Sequence, residues 1–101
     1  MSVMKYVEKL LRDPQGKTLK VVATINNCRL TYIEISGDFF VYPETAIEEL
    51  ERLLYMCSTT LCIDRAIEIV SSKAKALGFS WNTLKKVLFE VLSEGCKIER
   101  S

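Results

Sequence analysis

From Lys17 to Ile25 the side chains alternate, with Leu19, Val21, Ala23 and Ile25 on one side and Thr18, Lys20, Val22 and Thr24 on the other. This period of two predicts a half-buried β-strand. Asn26 and Asn27 tolerate left-handed backbone and supply a tight turn, after which Leu30 to Ser36 returns as the antiparallel partner. The preceding segment reads two ways. Val3, Val7, Leu10 and Leu11 fit a helical stripe, whereas Tyr6 to Arg12 followed by Asp13-Pro14-Gln15-Gly16 fits a strand and turn, and the turn signal favours the strand.

Beyond residue 42 the apolar spacing becomes helical. Pro43 suits a first helical turn, and Ala46, Ile47, Leu50, Leu53 and Leu54 form a stripe opposite Glu44, Glu48, Glu49 and Glu51. Acidic residues there complement the positive end of the helix dipole. Ile63, Ala66, Ile67, Val70, Ala74 and Leu77 predict a second helix ending at Gly78. Ser80 then caps a third, with Trp81, Leu84, Val87, Leu88, Val91 and Leu92 inward and Gly95 as its stop. The expected class is α+β: a small antiparallel sheet of two or three strands covered by about three helices. No internal repeat, low-complexity tract or linker divides residues 1–101, so one domain is expected.

With 14 basic and 13 acidic residues the net charge is +1, without the positive field that nonspecific nucleic-acid binding needs. No apolar run reaches the ~20 residues of a membrane span, and the amino terminus lacks a signal-peptide layout, so a cytoplasmic protein is the expectation. Cys28, Cys57, Cys62 and Cys96 show no Cys-x-x-Cys pair, and the chain has no histidine, which argues against structural zinc. Cys57 and Cys62 lie close enough to form a disulfide if the intervening turn bends correctly. Buried free thiols are the favoured reading of the four.

Catalytic signals are missing. Without histidine the familiar general base is unavailable, and no phosphate-binding glycine loop, dinucleotide turn or nucleophile elbow is present. The carboxylates from Glu44 to Glu51 read as a solvated helix face, as do Lys85 and Lys86. The segment joining the two halves, Ile35 to Tyr42, carries Gly37-Asp38 and then Phe39-Phe40, which an extended backbone sends to opposite sides. Asp38 either bonds the amides of the following turn or reaches a partner.

Ile33-Glu34-Ile35-Ser36-Gly37-Asp38-Phe39-Phe40, then Pro43, Ala46-Ile47-Glu48-Glu49-Leu50-Glu51 and Leu53-Leu54, resemble the carboxy-terminal accessory domain of lipoate-protein ligases. The turn Pro14-Gln15-Gly16-Lys17 and the hairpin into Ile35 share the resemblance, which spans roughly residues 5 to 92. In archaeal-type bipartite ligases this domain is a separate small subunit. The resemblance implies a SufE/NifU-like fold and a catalytic lysine and lipoate pocket in another polypeptide.

The implied function is that of a non-catalytic accessory subunit. In a heterodimer with the catalytic subunit it would help activate lipoate to lipoyl-AMP, and the lipoyl-acceptor domain would be met only indirectly. Lipoate, ATP and magnesium (Mg) are expected in that complex, with no cofactor bound by this chain alone and no catalytic residue of its own. Gly37, Asp38, Phe39, Phe40 and Tyr42 are the candidate contacts, with Lys85, Lys86 and Phe89 as a second surface. An alternative class is a SufE-like sulfur acceptor with Cys28, beside Arg29, as nucleophile. A plain interaction module is the third.

Overall fold

The computed structural model describes residues 4–12 and 17–96. In chain order these form β1 (Met4–Arg12), β2 (Thr18–Asn26), β3 (Arg29–Gly37), β4 (Phe40–Tyr42), α1 (Ala46–Leu54), α2 (Thr60–Ser71), β5 (Lys75–Leu77) and α3 (Trp81–Gly95). The strands make a three-stranded antiparallel sheet, β1-β2-β3, and a separate antiparallel ribbon, β4-β5. The fold is therefore α+β, as the periodicities imply. The first segment is a strand, while the turn expected at residues 13–16 lies outside the described residues.

Leu19, Val21, Ala23 and Ile25 of β2 are all buried, joined from β3 by Leu30, Ile33 and Ile35 and from β1 by Val7. The helices supply the other half of the core. Leu50 and Leu54 of α1, Ile63 and Val70 of α2, and Leu84, Leu88 and Val91 of α3 lose all contact with solvent. Burial of each such aliphatic side chain contributes about 1.5–3 kcal/mol, which accounts for helices that intrinsic propensity alone would leave marginal.

Several expectations are corrected. The tight turn falls on Asn27 and Cys28, at φ 54° and 64°, not on Asn26 and Asn27. Asn26 remains in the strand opposite Arg29, and a bulge between Thr24 and Ile25 shifts the register. Pro43 lies outside α1: the Tyr42–Pro43 bond is cis, Thr45 is the N-cap, and the Pro43 carbonyl accepts from the Ala46 amide at 3.0 Å. Glu44 accordingly precedes the helix, and only Glu48 and Glu49 occupy its first turn.

α2 also stops short of Gly78. The Ser71 and Ser72 hydroxyls donate to the Glu68 and Ile69 carbonyls, competing with the helical ladder, and Lys75–Leu77 pairs instead with β4. Ser80 caps α3 as expected, its Oγ accepting from the Thr83 amide at 3.2 Å. Gly95 is the last residue of α3, so the helix ends there as expected, and the glycine lies at a point of close approach. A β-carbon there would land on the Ile25 side chain.

The cysteines are not free thiols. Cys28 is bonded to Cys96, tying the hairpin turn to the end of α3, and Cys57 is bonded to Cys62 across the α1–α2 connection. The first bridge was hidden because its partners lie 68 residues apart and meet only after the fold forms.

Candidate functional site

The corner between β3 and α1 is built by two glycines. Gly37, at φ 145°, ends β3 and carries the chain across the start of β2, where the Asp38 amide donates to the Thr18 carbonyl at 2.8 Å. Gly78, at φ 107°, approaches the same step from the other side. A β-carbon at Gly78 would sit 2.9 Å from both the Asp38 carbonyl oxygen and the Phe39 β-carbon. Only glycine relieves both constraints, the positive φ and the missing space.

The two phenylalanines then diverge. Phe39 packs against the core and meets the Phe79 ring edge-on, with centroids 4.9 Å apart, and Phe79 meets Trp81 in the same manner at 5.1 Å. Phe40 turns outward and is 77% exposed. Across the ribbon Phe40 faces Leu77 and Tyr42 faces Lys75, while Val41 and Ala76 point inward. Tyr42 at 79% and Leu77 at 70% exposure complete an apolar surface that the chain's own core does not use. An exposed apolar cluster of this kind on a short two-stranded ribbon is a candidate contact surface.

The structure thus brings Gly37, Asp38, Phe39, Phe40 and Tyr42 together, and adds Leu77, which a helical reading of residues 75–77 concealed. Asp38 does not bond the following turn. Its side chain is exposed and, among the described residues, has no hydrogen-bond partner. Lys85 is engaged elsewhere, pairing with Asp64 of α2 at 3.1 Å. Phe89 packs at the margin of the core, and Lys86 is exposed.

Near the corner, a Glu51 carboxylate oxygen accepts from the Ile35 amide at 2.8 Å, covering part of the free edge of β3. Burial pushes the Glu51 carboxyl above its ordinary value, the Ile35 amide opposes the rise, and the negative charges of Glu34 and Glu48 add to it. Further along, Leu53, Thr59, Leu61, Cys62, Arg65, Ala66 and Ile69 line an open groove of about 440 Å³ between α1 and α2. Cys28, the alternative nucleophile, holds no thiol while bonded to Cys96. No cluster of histidine, cysteine or carboxylate groups suited to a metal occurs among the described residues.

The backbone has a counterpart among solved structures. It matches a chain from the structural analysis of an archaeal lipoylation system, a bipartite lipoate protein ligase and its E2 lipoyl domain from Thermoplasma acidophilum. The TM-score is 0.66 over 96% of this chain and 100% of that one, at 21% sequence identity. That likeness establishes the fold. The chain matches no known family pattern and no curated protein. No helix among the described residues is long and apolar enough to cross a membrane.

Proposed function

We propose that this chain is the non-catalytic accessory subunit of a bipartite lipoate-protein ligase, acting with a catalytic subunit in the ATP-dependent activation of lipoate to lipoyl-AMP. The observation that carries the reading is the match in fold over nearly the whole of both chains to a component of an archaeal lipoylation system. The Gly-Asp-Phe-Phe corner and its exposed ribbon give the proposal a physical means. Adenylation needs a carboxylate and a nucleotide held in line with water excluded, and a second subunit closing over such a site contributes positioning and desolvation without a catalytic group of its own.

In this reading the ribbon, with Phe40, Tyr42 and Leu77 exposed on it, docks on the catalytic subunit. Lipoate, ATP and magnesium are held by that subunit. The experiment is reconstitution: pyrophosphate release from lipoate and ATP is followed with this chain alone, with a catalytic subunit alone and with both. Release only from the mixture is expected. Release from this chain alone, or a rate from the catalytic subunit that this chain leaves unchanged, refutes the proposal.

A further inference from the structure

The groove between α1 and α2 is lined by one sulfur of the Cys57–Cys62 disulfide and by a cation. Its walls are Leu53, Leu61, Ala66 and Ile69, it holds no carboxylate, and its one charge is Arg65, which makes no ion pair among the described residues. Cys62 lines the groove and is part-exposed, whereas its partner Cys57 is 1% exposed behind it. One sulfur of the pair therefore faces an apolar, positively charged recess.

The two disulfides of the chain differ in ways that bear on reduction. Cys57–Cys62 closes five residues of chain and Cys28–Cys96 closes 68, so the short loop gains far less from the lowered entropy of the unfolded state. Cys62 sits in the first turn of α2, its amide donating to the Thr59 hydroxyl at 3.2 Å, where unpaired amides and the helix dipole favour a thiolate. Cys96 sits at the carboxy-terminal end of α3, where the dipole disfavours one. The frame around the short bridge also survives its opening. The Cys57 carbonyl accepts from Leu30 at 2.9 Å, the Met56 amide donates to the Leu30 carbonyl at 2.6 Å, and the Thr59 cap holds α2, so both sulfurs stay in register.

We propose that Cys57–Cys62 is a thiol–disulfide exchange site for an apolar dithiol that bears an anionic group. This rests on the ligase reading only in naming the compound, since free reduced lipoate, with its carboxylate intact, is such a dithiol. The ligand's thiolate attacks the Cys62 sulfur, the Cys57–Cys62 bond breaks, and Cys57 leaves as a thiolate and takes up a proton. The ligand's second thiol then loses its proton and attacks the ligand sulfur of the mixed disulfide, releasing Cys62 as a thiolate. The ligand departs as a cyclic disulfide, two electrons poorer, and the chain keeps those electrons as two thiols. Leu53, Leu61 and Ile69 receive the hydrocarbon and Arg65 the anion.

The test uses the full oxidised chain without oxygen, treated with dihydrolipoate, neutral dihydrolipoamide or dithiothreitol at equal thiolate concentration. Timed N-ethylmaleimide labelling and peptide mass mapping locate the opened bridge. Cys57 and Cys62 should label before Cys28 and Cys96, and dihydrolipoate should outpace dithiothreitol about tenfold, the equivalent of roughly 1.4 kcal/mol of groove contact. Arg65→Gln should abolish the advantage of dihydrolipoate over dihydrolipoamide and leave the dithiothreitol rate unchanged. Prior opening of Cys28–Cys96, equal rates with all three reagents, or an indifferent Arg65→Gln overturns the site. Adenylation with a catalytic subunit is scored separately. Failed exchange with intact adenylation removes this site alone, and exchange without any adenylation keeps the site and removes the ligase reading.

Discussion

Phe39 and Phe79 meet edge to face with ring centroids 4.9 Å apart, and this contact anchors the corner from which the next residue, Phe40, projects into solvent. Adjacent side chains thus serve opposite ends, one fastening the ribbon to the core and the other presented by it. Phe39→Ala should lower stability by about 2–3 kcal/mol, since it removes a part-buried ring and its aromatic partner contact. Phe40→Ala should leave the melting temperature unchanged and weaken binding to a catalytic subunit by about 2 kcal/mol, roughly thirtyfold. Calorimetric titration and thermal melts of the two variants separate these outcomes. A Phe40→Ala chain that binds as tightly as the parent refutes the docking surface.

Gly78 should tolerate no side chain. Its φ of 107° and the 2.9 Å approach to Asp38 and Phe39 both oppose a β-carbon. Gly78→Ala is expected to cost about 1–3 kcal/mol and to loosen the β4–β5 pairing. Urea unfolding gives the first quantity, and amide exchange of Val41 and Ala76 gives the second.

Opening the long bridge should matter more than opening the short one. In the chain-entropy account a loop of 68 residues is worth about 4 kcal/mol and one of five residues about half that. The double variant Cys28→Ser/Cys96→Ser should therefore melt well below Cys57→Ser/Cys62→Ser. Comparable melting of the two would contradict the assignment of Cys28–Cys96 as the structural clamp.

The shapes of β2, α1 and α3 were legible because one face of each is buried. A strand whose odd positions all enter the core leaves an alternation in sequence, and a helix with one buried stripe leaves its own period. The end of α2 was not, because Ala74 and Leu77 continue the spacing of Val70 although the chain has already turned into β5. What decides that boundary is pairing with β4, a distant contact. The corner could be singled out from its residues alone, but the share of Leu77 in the exposed patch could not. The Arg65–Cys62 groove was equally hidden, since it depends on how α1 and α2 come to lie together.

The position of Glu51 gives a pH dependence with a definite sign. Its carboxyl is raised in the folded state above the usual value near 4.5, so the folded chain holds this proton more tightly than the unfolded one. Its contribution is fully present below the unfolded value and is lost as pH rises through the folded one. Glu51→Gln, which can still accept from the Ile35 amide, should therefore gain stability relative to the parent between pH 4 and pH 7. Glu51→Ala leaves that amide without its acceptor and should cost about 1–2 kcal/mol. Urea titrations at the two pH values test both expectations, and a Gln-minus-Glu difference that does not grow with pH contradicts the first.

Leu30 exchanges both of its backbone groups with Met56 and Cys57, and Glu51 takes the amide of Ile35, so two positions along the outer edge of β3 are already occupied. An extended strand from another molecule would find no donor at either position. On the opposite edge, β1 turns Lys5 and Lys9 toward the helical side, with Lys9 bound to Glu94 of α3, and an added strand would have to accommodate those charges. A small protein that displays Phe40, Tyr42 and Leu77 to solvent is thereby guarded against fibrillar self-assembly through its main sheet. Its sticky surface can be kept for a partner without the sheet seeding aggregates.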